Sequence, residues 1–191
     1  MKRPAVFLDR DGTINLDAGY IDRLERLELY PFAIDAIRLF KRAGYLVVIL
    51  TNQAGVAQGL YGEEFVETVA RYLAERASLG GGGIDGHYFC PHSPEAVVPA
   101  YRVDCDCRKP KPGLALRAAA DLDIDLPRSV VIGDRWRDLA VARAIGARAV
   151  LVKTGYGATE ALHPPGDGTA ADAVCEDLIG AAVWLLDHPL P

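Results

Sequence analysis

Short uninterrupted apolar runs alternate along this chain with longer stretches in which apolar residues recur every three or four positions. Residues 5–8 (AVFL), 45–50, 86–90, 129–132 and 148–152 are the short runs, and each reads as a β-strand buried on both faces. Helical spacing covers 32–40, 63–79, 114–122, 135–145 and 172–187, with Gly44 and Gly146 as stop signals. Residues 17–30 have no clean period and read as a loop or flap. Gly80 to Gly83 reads as a flexible connector, and a Gly/Pro-rich turn at 163–168 precedes the last helix. Residues 91–112 contain five prolines and no period. That is far longer than an ordinary connection of about 4–6 residues, so the segment is expected to be functional or held by something. The chain has no internal repeat.

Strands that alternate with helices imply βαβ units. The expected fold is α/β: a Rossmann-like parallel sheet with helices on both faces. In such sheets ligands bind beyond the carboxyl ends of the strands. Three expected strands run into Asp9, Thr51 and Asp134. If these strands are neighbours, the three side chains converge on one crevice.

Composition narrows the class. The 191 residues make about one domain at roughly 150 residues each, so residues 1–191 are read as a single unit. Half the residues are hydrophobic and 25% are charged, which excludes a mainly disordered chain. The net charge of −5 argues against non-specific nucleic-acid binding but leaves room for a local basic pocket. No apolar run approaches the roughly 20 residues of a membrane span, and the run at 5–8 is too short for a signal-peptide core. A cytoplasmic protein is expected and, with few exposed apolar stripes, a monomer. In a reducing compartment Cys90, Cys105, Cys107 and Cys175 are not expected to form disulfides. The first three cluster within eighteen residues, which points to a metal.

The candidate chemistry starts at Asp9-Arg10-Asp11-Gly12-Thr13, two carboxylates where a strand ends and a glycine that permits a tight turn. Such a pair can divide labour between nucleophile or metal ligand and general acid or base. Alone it is equally a pair of acids capping a turn. It is not alone. FLDRDGTIN (7–15), ILTNQAG (49–55), RKPKPG (108–113) and IGDRWRD (132–138) follow in order at the expected strand ends. Together they resemble the four motifs of the haloacid dehalogenase superfamily of phosphohydrolases.

The resemblance implies a Mg²⁺-dependent phosphatase working through an aspartyl phosphate. Asp9 is then the nucleophile and Asp11 the general acid/base. Thr51 and Lys109 stabilise the transferring phosphoryl group. Mg²⁺ is held by Asp9, the Asp11 backbone carbonyl and Asp134. Asp138 either orients Lys109 or the metal site, or caps the following helix. No large insertion is visible after Asn15 or Gln53, so a capless form is expected, with substrate contacts from loops.

Cys90-Pro91-His92 and Cys105-Asp106-Cys107 supply three thiolates and an imidazole, which suit a closed, structural, tetrahedral Zn²⁺ site within a loop spanning 90–107. The single-residue spacing in each pair is tighter than a usual CxxC, and free thiols or a disulfide are the other readings. A zinc site would pin the loop that delivers Arg108 and Lys109. His87 and His163 read as ordinary surface or turn residues.

Within the superfamily, DRDGT, TNQ and the CxH…CxC loop are similar to the D,D-heptose 1,7-bisphosphate 7-phosphatases over nearly the whole chain, with the histidinol-phosphatases second. That similarity implies a small sugar bisphosphate as substrate, contacted by Asp17, Ala18, Gly19, Tyr20, Thr51, Asn52, Gln53, Ala54, Arg108, Lys109 and Arg135. Arg108 suits a bidentate clamp on a second phosphate, or is a solvated charge beside the loop. Lysine is often found where Arg135 stands. The motifs also resemble polynucleotide 3′-phosphatases, which the acidic balance opposes. A non-catalytic zinc module conflicts with the intact carboxylate set.

Overall fold

The computed structural model describes residues 2–189. In chain order it contains β1 (Ala5–Leu8), α1 (Ala33–Arg42), β2 (Leu46–Asn52), α2 (Ala54–Ala57), α3 (Glu63–Leu79), β3 (Gly86–Cys90) and α4 (Gly113–Leu122). There follow β4 (Val130–Gly133), α5 (Trp136–Ile145), β5 (Arg148–Val152), α6 (Gly157–Glu160), β6 (Ala173–Cys175) and α7 (Leu178–Asp187). The six strands form one parallel sheet in the order β3-β2-β1-β4-β5-β6. The chain builds outwards from β1 to β3, then returns to the other side of β1. The strand order therefore reverses between β1 and β4, the point at which such sheets open a crevice.

The apolar runs are uninterrupted because both faces of the sheet are covered. Val6, Leu8, Val47, Ile49, Val130 and Ile132 point to one face, packed by α1, α3 and α7. Phe7, Val48, Leu50, Val131 and Leu151 point to the other, under α4 and α5. Adjacent residues of one strand thus enter opposite layers, as the two-residue period of a strand requires. No inserted domain interrupts this plan among the described residues.

The last expected helix is divided. Residues 173–175 pair with β5 as an edge strand, Val150 opposite Ala173 and Val152 opposite Cys175. The helix starts only at Leu178, where the Asp177 carboxylate accepts from Gly180 N at 2.8 Å and caps it. The glycine run, expected as a flexible connector, ends α3 and packs against α1: Gly82 N donates to Ala77 O at 2.9 Å, and a Cβ on Gly82 would press on Arg38 N.

His87 also departs from expectation. Its ring keeps an edge near the surface, but Nε2 is buried with no hydrogen-bond partner. Burial, reinforced by the Arg10 charge, depresses its pKa from 6.5 to about 4. Below pH 6.5 the unfolded chain takes up a proton that the folded chain refuses. The folded state is therefore at no disadvantage above pH 6.5, and stability is lost as pH falls towards 4. His87→Phe is expected to remove up to about 2 kcal/mol of that loss by pH 5. Urea unfolding at pH 7 and pH 5 checks this, and an unaltered pH dependence in the variant would contradict it.

Candidate active site

The crevice between β1 and β4 holds a compact set of buried charges. Asp9 N donates to Ile132 O at 3.0 Å, so the β1–β4 ladder carries Asp9 to the carboxyl edge of the sheet. Gly12 then turns the chain at φ +88°, and a Cβ there would collide with the Asp134 carboxylate. Gly155, in the loop after β5, approaches Asp134 from the other side under the same constraint. Thr154 Oγ1 donates to Gly12 O at 2.6 Å and fastens the two turns together. Tyr156 N donates to Asp134 Oδ2 at 2.8 Å.

Lys109 is the buried counter-charge. Its Nζ lies 2.6 Å from Asp9 Oδ1 and 2.8 Å from Asp138 Oδ1, and donates to Leu50 O at 2.7 Å. Two of its donors are hydrogen-bonded, to Asp9 and Leu50, and the contact with Asp138 is an ion pair. Asn52 grips the same residue by its backbone, accepting from Lys109 N at 3.0 Å and donating to Lys109 O at 3.1 Å. Asp138 fulfils both roles weighed for it: it pairs with Lys109, and its Oδ2 accepts from Arg135 N at 3.2 Å at the start of α5.

One ammonium does not balance this site. Asp9, Asp134 and Asp138 bring carboxylate oxygens within 4.8 Å of one another. Burial pushes Asp9 up to about 6 against the pull of Lys109. Burial, with the Asp9 and Asp138 charges, pushes Asp134 up to about 8. For Lys109, burial opposes the charge, but Asp138 and Asp9 outweigh it and raise the pKa. Asp134 Oδ1 is buried without a hydrogen-bond partner. An excess of hard oxygen donors with an unpaired lone pair fits a hard divalent cation such as Mg²⁺.

Asp11 lies in a different environment. Burial would raise its pKa, but the Arg10 guanidinium and hydrogen bonds from Asn15, Arg10 and Gln53 outweigh it and hold the carboxyl low. Arg10 donates through Nε and Nη2 at 3.1 and 3.0 Å. Gln53 Nε2 donates to Asp11 Oδ2 at 3.0 Å and to Thr51 Oγ1 at 2.7 Å. Gln53 Oε1 accepts from Arg10 Nη2 at 3.1 Å and from Tyr61 Oη at 2.9 Å. The TNQ segment therefore spends its polar groups largely on holding the site in shape.

The cysteine cluster lies beside it. The Sγ atoms of Cys90, Cys105 and Cys107 and a ring nitrogen of His92 all lie within 4.8 Å of one another. Cys90 Sγ is 3.6 Å from Cys105 Sγ and 2.9 Å from Cys107 Sγ, and His92 Nδ1 is 3.3 Å from Cys107 Sγ. A tetrahedral Zn²⁺ site with Zn–S near 2.3 Å has edges of roughly 3.8 Å, so the four atoms fit such an ion after a small expansion. The cluster is tied to the crevice twice. Gln53 N donates to Cys90 O at 2.8 Å, and Arg108 Nη1 donates to His92 O at 2.8 Å.

A cavity of about 270 Å³ opens onto Asp9 and Asp11. Of the substrate residues expected from sequence, Asp17, Gly19, Tyr20, Thr51, Asn52, Gln53, Ala54, Arg108 and Arg135 line it. Ala18 does not; its carbonyl faces the Arg26 guanidinium at 3.4 Å. Lys109 does not either, because it lies beneath Asp9 with only 4% of its surface exposed. Tyr61, Arg137 and Tyr156 complete the wall and were not expected. Tyr156 was within reach of the strand-end rule, because β5 ends at the same edge. Arg10 passed as the variable residue between two aspartates.

Strand order, the buried lysine under paired aspartates and the capless sheet together define a hydrolase of the haloacid dehalogenase class. A HAD-hydrolase-like family model matches residues 106–181. The D-glycero-beta-D-manno-heptose-1,7-bisphosphate 7-phosphatase of Escherichia coli K12 is 41% identical over 177 residues, 92% of this chain and 90% of its own length. The enzyme of the same name from Vibrio cholerae is 41% identical over 84% of this chain and 87% of its own. The crystal structure of D,D-heptose 1,7-bisphosphate phosphatase from B. bronchiseptica, complexed with magnesium and phosphate, superposes with a TM-score of 0.86 at 31% identity, covering 97% of this chain and 99% of that one. The chain belongs to the heptose 1,7-bisphosphate 7-phosphatase family of haloacid dehalogenase-type hydrolases.

Lys109→Met would leave two buried carboxylates facing each other without a counter-charge. The expected cost is about 3–5 kcal/mol, the range for breaking a buried ion pair from one side. Chemical denaturation measures it. A variant as stable as the parent would show that Lys109 is not the charge on which Asp9 and Asp138 depend.

Proposed function

We propose that this protein is a phosphoric monoester hydrolase that removes the 7-phosphate of D-glycero-D-manno-heptose 1,7-bisphosphate, in the making of nucleotide-activated heptose. The observation that carries the substrate assignment is the wall of the cavity. Beyond the carboxylates it bears three guanidinium groups, from Arg108, Arg135 and Arg137. A substrate with a second phosphate at its far end meets complementary charge there. Histidinol phosphate would instead bring cationic groups to the same place. The names of the relatives support the heptose assignment and put the β-anomer first among those to test.

Asp9 is the nucleophile. One of its carboxylate oxygens attacks phosphorus in line, the ester bond to the sugar oxygen breaks, and an aspartyl phosphate forms. Asp11 gives its proton to the departing alkoxide. The arriving phosphate dianion raises the Asp11 pKa from its low resting position, as like charges do, and so equips it as an acid. Water then attacks the aspartyl phosphate, Asp11 takes the water proton, and the bond to Asp9 breaks to release inorganic phosphate. Thr51 offers its O–H to the transferring phosphoryl oxygens, and Lys109 contributes its positive charge from beneath Asp9. Mg²⁺, held by Asp9, the Asp11 backbone carbonyl and Asp134, supplies the positive charge that lets an anionic carboxylate meet an anionic ester.

Substrate contacts come from Asp17, Gly19 and Tyr20 of the flap, from Thr51 to Ala54, and from Arg108 and Arg135. The structural ion of the 90–107 loop is Zn²⁺, held by Cys90, His92, Cys105 and Cys107. Residues 1–191 act as one unit, whose residues 1, 190 and 191 lie outside the described part. It works as a monomer in the cytoplasm on a small molecule, without nucleic acid. No helix among the described residues is long and apolar enough to cross a membrane.

A phosphate-release assay with Mg²⁺ tests the assignment, comparing both heptose bisphosphate anomers, histidinol phosphate, fructose 1,6-bisphosphate and a 3′-phosphorylated oligonucleotide. The highest kcat/KM is expected for a heptose bisphosphate, and Asp9→Asn should lower it at least about 1,000-fold. Preference for histidinol phosphate would move the protein to another pathway with the same chemistry. Full activity in Asp9→Asn would remove the assigned nucleophile.

The zinc assignment predicts one Zn²⁺ per chain by elemental mass spectrometry. Cys107→Ser should lose the metal and melt at a lower temperature. It should also raise KM for the bisphosphate, because Arg108 is held by the carbonyl of His92. A zinc-free native protein with normal kinetics would refute the assignment.

A further inference from the structure

Arg135 has an unusually defined setting for a residue on a cavity wall. Its Cζ stands 3.5 Å from the centroid of the Tyr156 ring, and its Nη2 lies 4.0 Å from Asp17 Oδ2. An arginine side chain is long and rotamer-rich, so a guanidinium left in solvent would lose that freedom on meeting an anion. Here a ring face already constrains it. Tyr156 is in turn fixed at its backbone, where its amide donates to Asp134 Oδ2 at 2.8 Å just after Gly155 packs on the same carboxylate. The ring itself is 47% exposed and adds little to the core. What it visibly serves is the guanidinium above it.

We propose that Tyr156 is a positioning residue and a specificity determinant: its ring, anchored beside Asp134, fixes the Arg135 guanidinium on the cavity wall to receive the second phosphoryl group of the substrate. This rests on the bisphosphate reading given above. The anchoring and the stacking use different parts of one residue. The backbone amide serves the carboxylate site and survives any substitution except proline. The ring serves the outer phosphate alone. Arginine suits this seat because its planar fork can stack on the ring and still present several donors to a phosphate.

The test compares kcat/KM for heptose 1,7-bisphosphate with that for p-nitrophenyl phosphate, which has no second phosphate. The variants are Tyr156→Leu, Tyr156→Phe, Arg135→Ala and the double variant Tyr156→Leu/Arg135→Ala. Tyr156→Leu should lower the bisphosphate-to-monophosphate ratio by about three- to tenfold, mainly through KM. Tyr156→Phe, which keeps the ring, should retain the parental ratio. The double variant should fall no further than Arg135→Ala alone. If Tyr156→Leu does not fold, Tyr156→Gln replaces it and should lower the ratio similarly. A ratio that falls in Arg135→Ala but not in Tyr156→Leu overturns the proposal and leaves the substrate reading intact. Equal losses in Tyr156→Phe and Tyr156→Leu overturn it too, because the hydroxyl would then be the working group. A parent protein with no preference for the bisphosphate overturns the substrate reading, and this proposal with it.

Discussion

Everything at the mouth of this sheet is arranged around one buried ammonium. Lys109 sits between Asp9 and Asp138 and also donates to the carbonyl of Leu50, so a single side chain joins the ends of β1 and β2 to the start of α5. Burying that charge is costly unless each of its donors is matched. Two hydrogen bonds and the ion pair to Asp138 offset that cost, and together they fix where the three elements end relative to one another. Asp134 adds a further carboxylate within the same few ångströms. The result is a site with surplus negative charge and hard oxygen donors, the donor set that suits a hard divalent cation.

The cysteine loop belongs to the same construction. It is a long stretch between β3 and α4, yet it must present Lys109 to the sheet and Arg108 to the cavity. Three thiols and an imidazole gathered within 4.8 Å form a compact cluster in a segment whose one regular element is a 3-10 turn at Pro99–Tyr101. From there the restraint passes through the carbonyls of Cys90 and His92, which hold Gln53 and Arg108. The buried carboxylates, Arg108 and the loop are thus parts of one hydrogen-bonded network rather than neighbouring sites.

The sequence made much of this legible, for identifiable reasons. Strands such as 5–8 and 148–152 are buried on both faces, so they appear as unbroken apolar runs with sharp ends, and the polar residue after each run marks the edge of the sheet. Residues 173–175 gave no such signal. A three-residue edge strand with Val174 half exposed is too short to display a period, and the apolar pattern of α7 absorbed it. Asp177, a good N-cap, was the available clue that the helix starts later. Ala18 lies off the cavity wall although its neighbours Asp17 and Gly19 line it, because neighbours in a motif need not face the same way. Tyr61 reached the site through Gln53, and that contact depends on how α2 and the turn after it fold back.

Local chemistry alone determined which groups could act: paired aspartates at a strand end, a lysine before a helix, three cysteines and a histidine in a loop, and the alternation that makes the sheet parallel. These follow from residue type and short-range spacing, which the chain carries in one dimension. Tertiary structure decided the rest. It placed Lys109 beneath Asp9 rather than on the cavity wall, gave Asp138 two tasks at once, and laid Arg135 over Tyr156 from a different strand end. Charge balance and burial depend on what lies across the fold, and residues far apart in sequence meet there only because β4 and β5 return beside β1.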